Sequence, residues 1–417
     1  MSTLKYWIWL ATRAGLGTLT SVRLLERFGT PENAYFAHQN EYEAVEGLSA
    51  VGRESLWNKE LSGAEEILGR CDRLGLRLLT LKDAEYPNRL KNIPDPPILL
   101  YLKGRLPVVD EELVIGMVGS RTPSAYGVRV AREMSLDLAR AGVVLCSGIA
   151  AGVDAAVLRG GLAAGGTVIS VVAGGLDIVT PAENRGLYED VAATGVLVSE
   201  YPPGTPHLGG HYRSRNRIIS GLSEGVVVVE GSWKSGSLIT AHAALEQGRE
   251  VFAVPGNVDS PMSAAPNQLL YRQEAGVARN ANDVLEAFLR RYPLRVKAPP
   301  LGDEERRQRL EGLASEEEQP LKGEEPPKRP PEDRNAVPKG TLTEKRRQMS
   351  LEEQSALTDD QKTLLRVAEE TALRPDELIE RTDIPANRVL SALTLLQVRG
   401  YMKEETGNRF VSLVHLE

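Results

Sequence analysis

The sequence predicts a doubly wound α/β domain on a mostly parallel sheet, with a helical module before it and a small domain after it. Short apolar, β-branched runs alternate with Ala-, Arg- and Glu-rich segments between residues 113 and 254. Such runs are the composition of parallel strands buried on both faces. Small-residue turns follow most of them. A stretch rich in Glu, Arg, Lys and Pro over 295–355, almost without aromatics, sets the C-terminal residues apart.

The strands are expected at Leu76–Leu81 and Ile98–Leu102, then Leu113–Val118, Val143–Ser147, Thr167–Val172, Val196–Ser199, Val226–Val229 and Glu250–Val254. The spacing predicts helices over Gly127–Ala141, Ala155–Ala164 and Leu238–Gln247 between them. In such a sheet the ligand lies beyond the carboxyl ends of the strands. The informative residues therefore follow each run. They are Gly119-Ser120-Arg121, Ile149–Asp154, Ala173–Asp177 and the Pro- and Gly-rich loop Tyr201–His211. One glycine turn alone says little; several on one rim point to a shared site.

The region Arg213–Asn257 is the most informative. A basic cluster, Arg213, Arg215 and Arg217 around Asn216, precedes the strand Val226–Val229. After that strand, Ser235-Gly236-Ser237 opens a helix, so backbone N–H groups and the positive helix end converge on one spot. That spot suits an anion, and the nearby arginines indicate a phosphate.

The excluded chemistry narrows the field. No Gly-x4-Gly-Lys-Ser/Thr pattern occurs, and no GxGxxG follows the first parallel strand. The five histidines lack metal-ligand spacing, so no metal and no cofactor are expected. Ser235 and Ser237 have no evident His/Asp partner and read as phosphate donors rather than nucleophiles. Two cysteines fit a reducing compartment, and Cys146 in an apolar run reads as a buried small hydrophobe. No run reaches the length of a membrane span and no signal peptide is evident, so the expectation is a soluble, cytoplasmic protein. The net charge of −7 disfavours a general nucleic-acid coat protein but leaves room for a local basic groove.

In the flanks, Gly15-Leu16-Gly17 joins two helices, with a weaker echo in VEGLSAVGRESL. A Gly-x-Gly turn can offer amides to a DNA phosphate; a plain helical hairpin turning at glycine fits equally. Residues 356–417 read as three short helices and a hairpin turning at Gly407-Asn408, a winged helix. Its third helix carries only Arg388 and Arg399 as bases, so DNA and protein both remain open as its partner.

The runs VGSRTPSAYG, SGIAAGVDAA, GGLDIVTPAEN, SEYPPGTP, HYRSRNRIISGLSEGVVVVE and SGSLITAHAALEQGREVFAVPG occur in this order. They resemble the DNA-processing protein A family (DprA/Smf), collinearly over about residues 80–290. The resemblance implies a Rossmann-like domain over 76–292, an N-terminal helix-hairpin-helix or SAM-like domain over 1–75, a linker over 293–355 and a winged helix over 356–417. It implies a non-catalytic homodimer that protects incoming single-stranded DNA and loads the RecA recombinase during natural transformation. Carried over by position, Gly119, Ser120 and Arg121 form the phosphate turn, and Tyr212 is an aromatic for base stacking. Arg213, Arg215, Asn216 and Arg217 join Ser235, Gly236, Ser237 and Thr240 around the same pocket. The sequence departs from the family where an arginine is replaced by Ala151, a histidine by Leu158 and a commonly basic residue by Gly209. Fewer basic groups imply a weaker hold on DNA unless Arg213 compensates. The alternative on a related sheet is a nucleotide phosphoribohydrolase of the lysine-decarboxylase-like (LOG) type. That reaction needs a carboxylate early in the helix after the anion turn. A third reading makes the pocket a sensor for a small nucleotide.

Overall fold

The computed structural model describes residues 3–293 and most of 347–415, without 350–353, 355–356, 370, 374, 383 and 406–408. These residues form two compact units, one on each side of the gap. The expected charged linker lies almost wholly outside the described residues.

The first unit is organised by one nine-stranded sheet. Its strands are β1 (Arg77–Thr80), β2 (Leu99–Gly104), β3 (Val114–Val118), β4 (Val144–Ser147), β5 (Val168–Val172), β6 (Val196–Ser199), β7 (Gly225–Val228), β8 (Glu250–Ala253) and β9 (Gly276–Val277). Their spatial order is β1-β2-β6-β5-β4-β3-β7-β8-β9. Pairing is parallel from β6 to β9, while β2 runs antiparallel to both β1 and β6. Every residue of β3 through β7 is buried, as their continuous apolar composition requires. Each of the first eight strands begins and ends within two residues of the expected position. The exposed two-residue β9 is an addition, too short to leave a periodic signal.

The helices are α1 (Leu4–Ala11), α2 (Thr18–Phe28), α3 (Pro31–Phe36), α4 (Ala50–Trp57), α5 (Ser62–Leu74), α6 (Asn88–Lys91), α7 (Ala125–Arg140), α8 (Val153–Ala163), α9 (Arg185–Thr194), α10 (Gly209–Leu222), α11 (Gly236–Glu246), α12 (Ala264–Tyr271) and α13 (Ala281–Glu286). Sequence periodicity assigns no element to the stretch that forms α10, and this helix takes in the last residues of the expected loop Tyr201–His211. The reason lies in its composition: residues 209–217 are Gly, His, Arg, Ser and Asn around one tyrosine, with no apolar stripe. Strand β3 has β4 on one side and β7 on the other, so the winding reverses there and opens a crevice above the strand ends.

The N-terminal helices share a continuous apolar core with the sheet, including Trp9, Leu24, Tyr42 and Leu56. Gly15 has a positive φ of 72°, and a Cβ there would lie 2.8 Å from the amide nitrogen of Gly52. The two glycine turns seen in the sequence therefore pack against each other, which gives Gly15 a structural use.

The second unit contains helices Asp359–Val367, Pro375–Thr382 and Ala386–Val398 and an antiparallel hairpin of Met402–Glu405 with Arg409–Ser412. Leu364, Leu378, Val389, Leu396 and Phe410 form its core. Thr358 and Gln361 make a reciprocal capping box at the first helix. The expected turn residues Asp383, Gly407 and Asn408 lie outside the described residues. A short parallel pairing of Arg347–Gln348 with Val414–His415 was not expected from sequence.

Candidate nucleic-acid interface

Two adjoining cavities, of about 320 and 140 Å³, open above the carboxyl ends of β3, β4, β5 and β7. Arg121, Ala150, Tyr212 and Arg215 line both. The larger has a mixed lining that includes Gly119, Ser120, Asn216, Ser235, Gly236, Ser237 and Thr240. The smaller is mainly apolar, walled by Ile149, Val171, Val172, Pro181 and His207. Ten of the twelve residues singled out in the sequence thus meet in one place.

Each wall has a local cause. Gly119 leaves β3 where a Cβ would lie 2.7 Å from the Val153 side chain. Gly152, at φ 86°, lets α8 approach the Ser120 carbonyl, which a Cβ would meet at 2.5 Å. These close approaches fold the turn carrying Arg121 over the crevice. Ser235 caps α11 and accepts from the Ser237 amide at 3.3 Å, while the two hydroxyls lie 2.8 Å apart. Asn216 donates to the Gly236 carbonyl at 3.1 Å, tying α10 to the same turn. The N-terminus of α11, with its positive dipole end, faces the larger cavity.

Helix α10 distributes its arginines in different directions, since each residue advances the helix by about 100°. Arg215 points into the crevice, where it is 6% exposed. Its Nη1 donates to the Val171 carbonyl at 3.0 Å and its Nη2 lies 3.8 Å from Asp154. Its buried Nε has no hydrogen-bond partner among the described residues. Burial lowers the pKa of Arg215 and raises that of Asp154, and their attraction only partly opposes this. The guanidinium is thus a buried cation with incomplete compensation, facing a cavity. Gly148 makes the arrangement possible, because any Cβ there would occupy the space of Arg215 Nη1 and the Asp154 carboxylate.

Arg121 is exposed, and its guanidinium carbon sits 4.3 Å from the centre of the Tyr212 ring. One face of the expected stacking platform therefore already carries a cation. Arg213 is exposed on α10 and lines neither cavity.

The structure corrects the placement of Arg217, which was expected to line the pocket. Its guanidinium turns the other way, donating to Asp95 at 2.8 Å, Glu200 at 2.7 Å, the Ser214 carbonyl at 3.0 Å and Thr18 Oγ1 at 3.2 Å. Burial disfavours this cation, but the carboxylates of Glu200 and Asp95 outweigh burial and raise its pKa. Arg217 is a tie between α10, the loop after β6 and the start of α2.

The pattern of the DNA recombination-mediator protein A family matches residues 77–289, and that of the DprA winged-helix domain matches residues 350–408. The protein Smf of Synechocystis is 31% identical over 409 residues, 97% of this chain and 98% of that protein. The chain belongs to the DNA-processing protein A family. The DprA protein of Bacillus subtilis is 43% identical over 220 residues, 53% of this chain and 74% of that protein. The solved structure of DprA from Streptococcus pneumoniae covers 69% of this chain and 98% of its own at a TM-score of 0.60, with 30% sequence identity. The resemblance read from the motifs and the winged helix read from the C-terminal pattern are both upheld.

Against that family background, Ala151 lines the smaller cavity where an arginine was expected, so this wall is apolar. Asn184, from the divergent motif Thr180–Asn184, is buried and donates to the Ile149 carbonyl at 2.9 Å, supporting the cavity floor. Sequence reasoning missed Asp154 as the partner of Arg215 and His207 as a wall residue. His207 is bonded to the Ile178 carbonyl at 3.0 Å, and burial lowers its pKa. Its only sequence signal was membership of the loop Tyr201–His211. The first turn of α11, Gly236–Ile239, has no carboxylate, and Glu246 lines neither cavity. Among the described residues no helix is long and apolar enough to cross a membrane.

Proposed function

We propose that the crevice binds single-stranded DNA, and that the protein is a non-catalytic recombination mediator. The observation that carries this is the buried Arg215 guanidinium, incompletely compensated and facing a cavity that α11 meets with its N-terminus. A phosphate there supplies the missing counter-charge. Arg121 extends the positive rim, and Tyr212 together with the apolar wall of the smaller cavity suits a base that is not paired. The open crevice between strand ends admits one flexible strand more readily than a duplex.

On this reading the chain shields incoming single strands and hands them to the RecA recombinase during DNA uptake, acting as a homodimer. Membership of the recombination-mediator family supports the role. The binding test is fluorescence anisotropy with a labelled oligothymidylate and the matching duplex over a range of salt. Salt-sensitive binding that favours the single strand is expected; equal affinity for duplex overturns the reading. Faster RecA filament growth on protected strands in the presence of the protein tests the loading step.

A further inference from the structure

We infer a second nucleobase subsite outside the crevice, formed by the indole ring of Trp233. This rests on the proposed binding of single-stranded DNA and extends its path. Trp233 is 64% exposed, although a ring of this size normally buries most of its surface. It lies between Ser232 and Ser235, both of which line the larger cavity. The Ser235 amide donates to the Ser232 carbonyl at 2.9 Å, closing a four-residue turn with Trp233 and Lys234 at its centre. Glycine, asparagine or proline would be the ordinary occupants of such a tip. Here a tryptophan and an exposed lysine project from it side by side.

The tip is firmly mounted. The Gly231 amide donates to the Met262 carbonyl at 2.6 Å, and the Gly231 carbonyl accepts from the Ala265 amide at 2.8 Å. The ring is therefore carried by a fixed turn next to the Ser235–Ser237 cap, with a cation beside it. A strand whose phosphate sits at Ser235–Ser237 runs past this tip as it leaves the crevice. An unpaired base stacks on the indole, and Lys234 neutralises the adjoining phosphate.

The test uses the full chain with a labelled oligothymidylate and an abasic strand of equal length. Trp233→Ala is expected to weaken binding to the oligothymidylate by about tenfold and leave the abasic strand unaffected, while Trp233→Phe keeps most of the affinity. In a Trp57→Phe background, oligothymidylate should quench the indole emission, and that quenching should vanish when Trp233 is also replaced by Phe. Equal oligothymidylate binding by Trp233→Ala and wild type, or equal losses on both strands, overturns the subsite. So does a change of oligomeric mass without loss of DNA affinity, which would make the ring a protein contact. If the wild type binds neither strand, the proposed function itself falls, which separates the two failures.

Discussion

Arg121 and Arg217 come from two of the family's motif runs, and the structure gives them two roles that can be measured independently. Arg121 is exposed and its guanidinium lies over the Tyr212 ring, so removing it costs the fold no more than about 0.5–1 kcal/mol. As a phosphate contact it should contribute about 1.5 kcal/mol to binding, near tenfold in Kd. Losing one such contact should reduce the log–log salt slope on single strands by about 0.7. Arg217 is 8% exposed and joined to two carboxylates, a carbonyl and a hydroxyl. Removing one partner of a fully buried ion pair costs about 3–5 kcal/mol. Asp95, at 44% side-chain exposure, and Glu200, at 19%, recover part of that by hydration. The remaining loss is about 2–3 kcal/mol, roughly 5 °C in Tm for a unit of this size. The assay pairs thermal unfolding with anisotropy titrations at several salt concentrations for wild type, Arg121→Ala and Arg217→Ala. A wild-type salt slope for Arg121→Ala, or a reduced slope with unchanged Tm for Arg217→Ala, refutes the assignment of the two roles.

Further outcomes follow from the same geometry. Gly148→Ala places a Cβ in the space of Arg215 and Asp154, so it should destabilise the fold by about 1–3 kcal/mol and weaken DNA binding, read by unfolding and by anisotropy. Tyr212→Ala should lower affinity for oligothymidylate by about 1–3 kcal/mol, with Tyr212→Phe close to wild type; equal losses in both would remove the ring from the binding role. Burial raises the Cys146 thiol to about 12 and the Cys71 thiol to about 11. Both folded pKa values lie above that of an unfolded thiol, about 8.5, so the fold favours the protonated form. The stability this gives is complete below about pH 8.5 and declines as pH rises towards the folded values. Thiol labelling at neutral pH should therefore wait for unfolding, and labelling of the native protein at the rate of a free thiol would contradict the burial.

Much of the architecture was legible because strands buried on both faces must be apolar along their whole length. Val226–Val229, Thr167–Val172 and Leu113–Val118 carry that signature within themselves, and the observed strands differ from them by a residue or two. The Ser235-Gly236-Ser237 turn was equally plain, since cap and helix lie next to each other in the chain. Helix α10 was not legible: its first turns owe their place to polar contacts with distant segments rather than to an apolar stripe. Nor could the sequence show that the Gly15-Leu16-Gly17 turn packs against Gly52, a contact between segments distant in the chain.

By itself the sequence determined the strands of the sheet, the glycine-rich rim, the Ser235-Gly236-Ser237 helix cap, the winged helix and the family, all of which rest on local composition and short spacings. Only the tertiary structure decided what each arginine of the Arg213–Arg217 cluster does. Helical phase turns Arg215 away from its two neighbours, and Asp154 and Val171 then hold it in the crevice. Arg217 is captured instead by Asp95, Glu200 and Thr18, as many as 199 residues away in the chain. A charge in a sequence reports that a cation is present; its direction is set by the carboxylates and carbonyls that folding brings within about 3 Å.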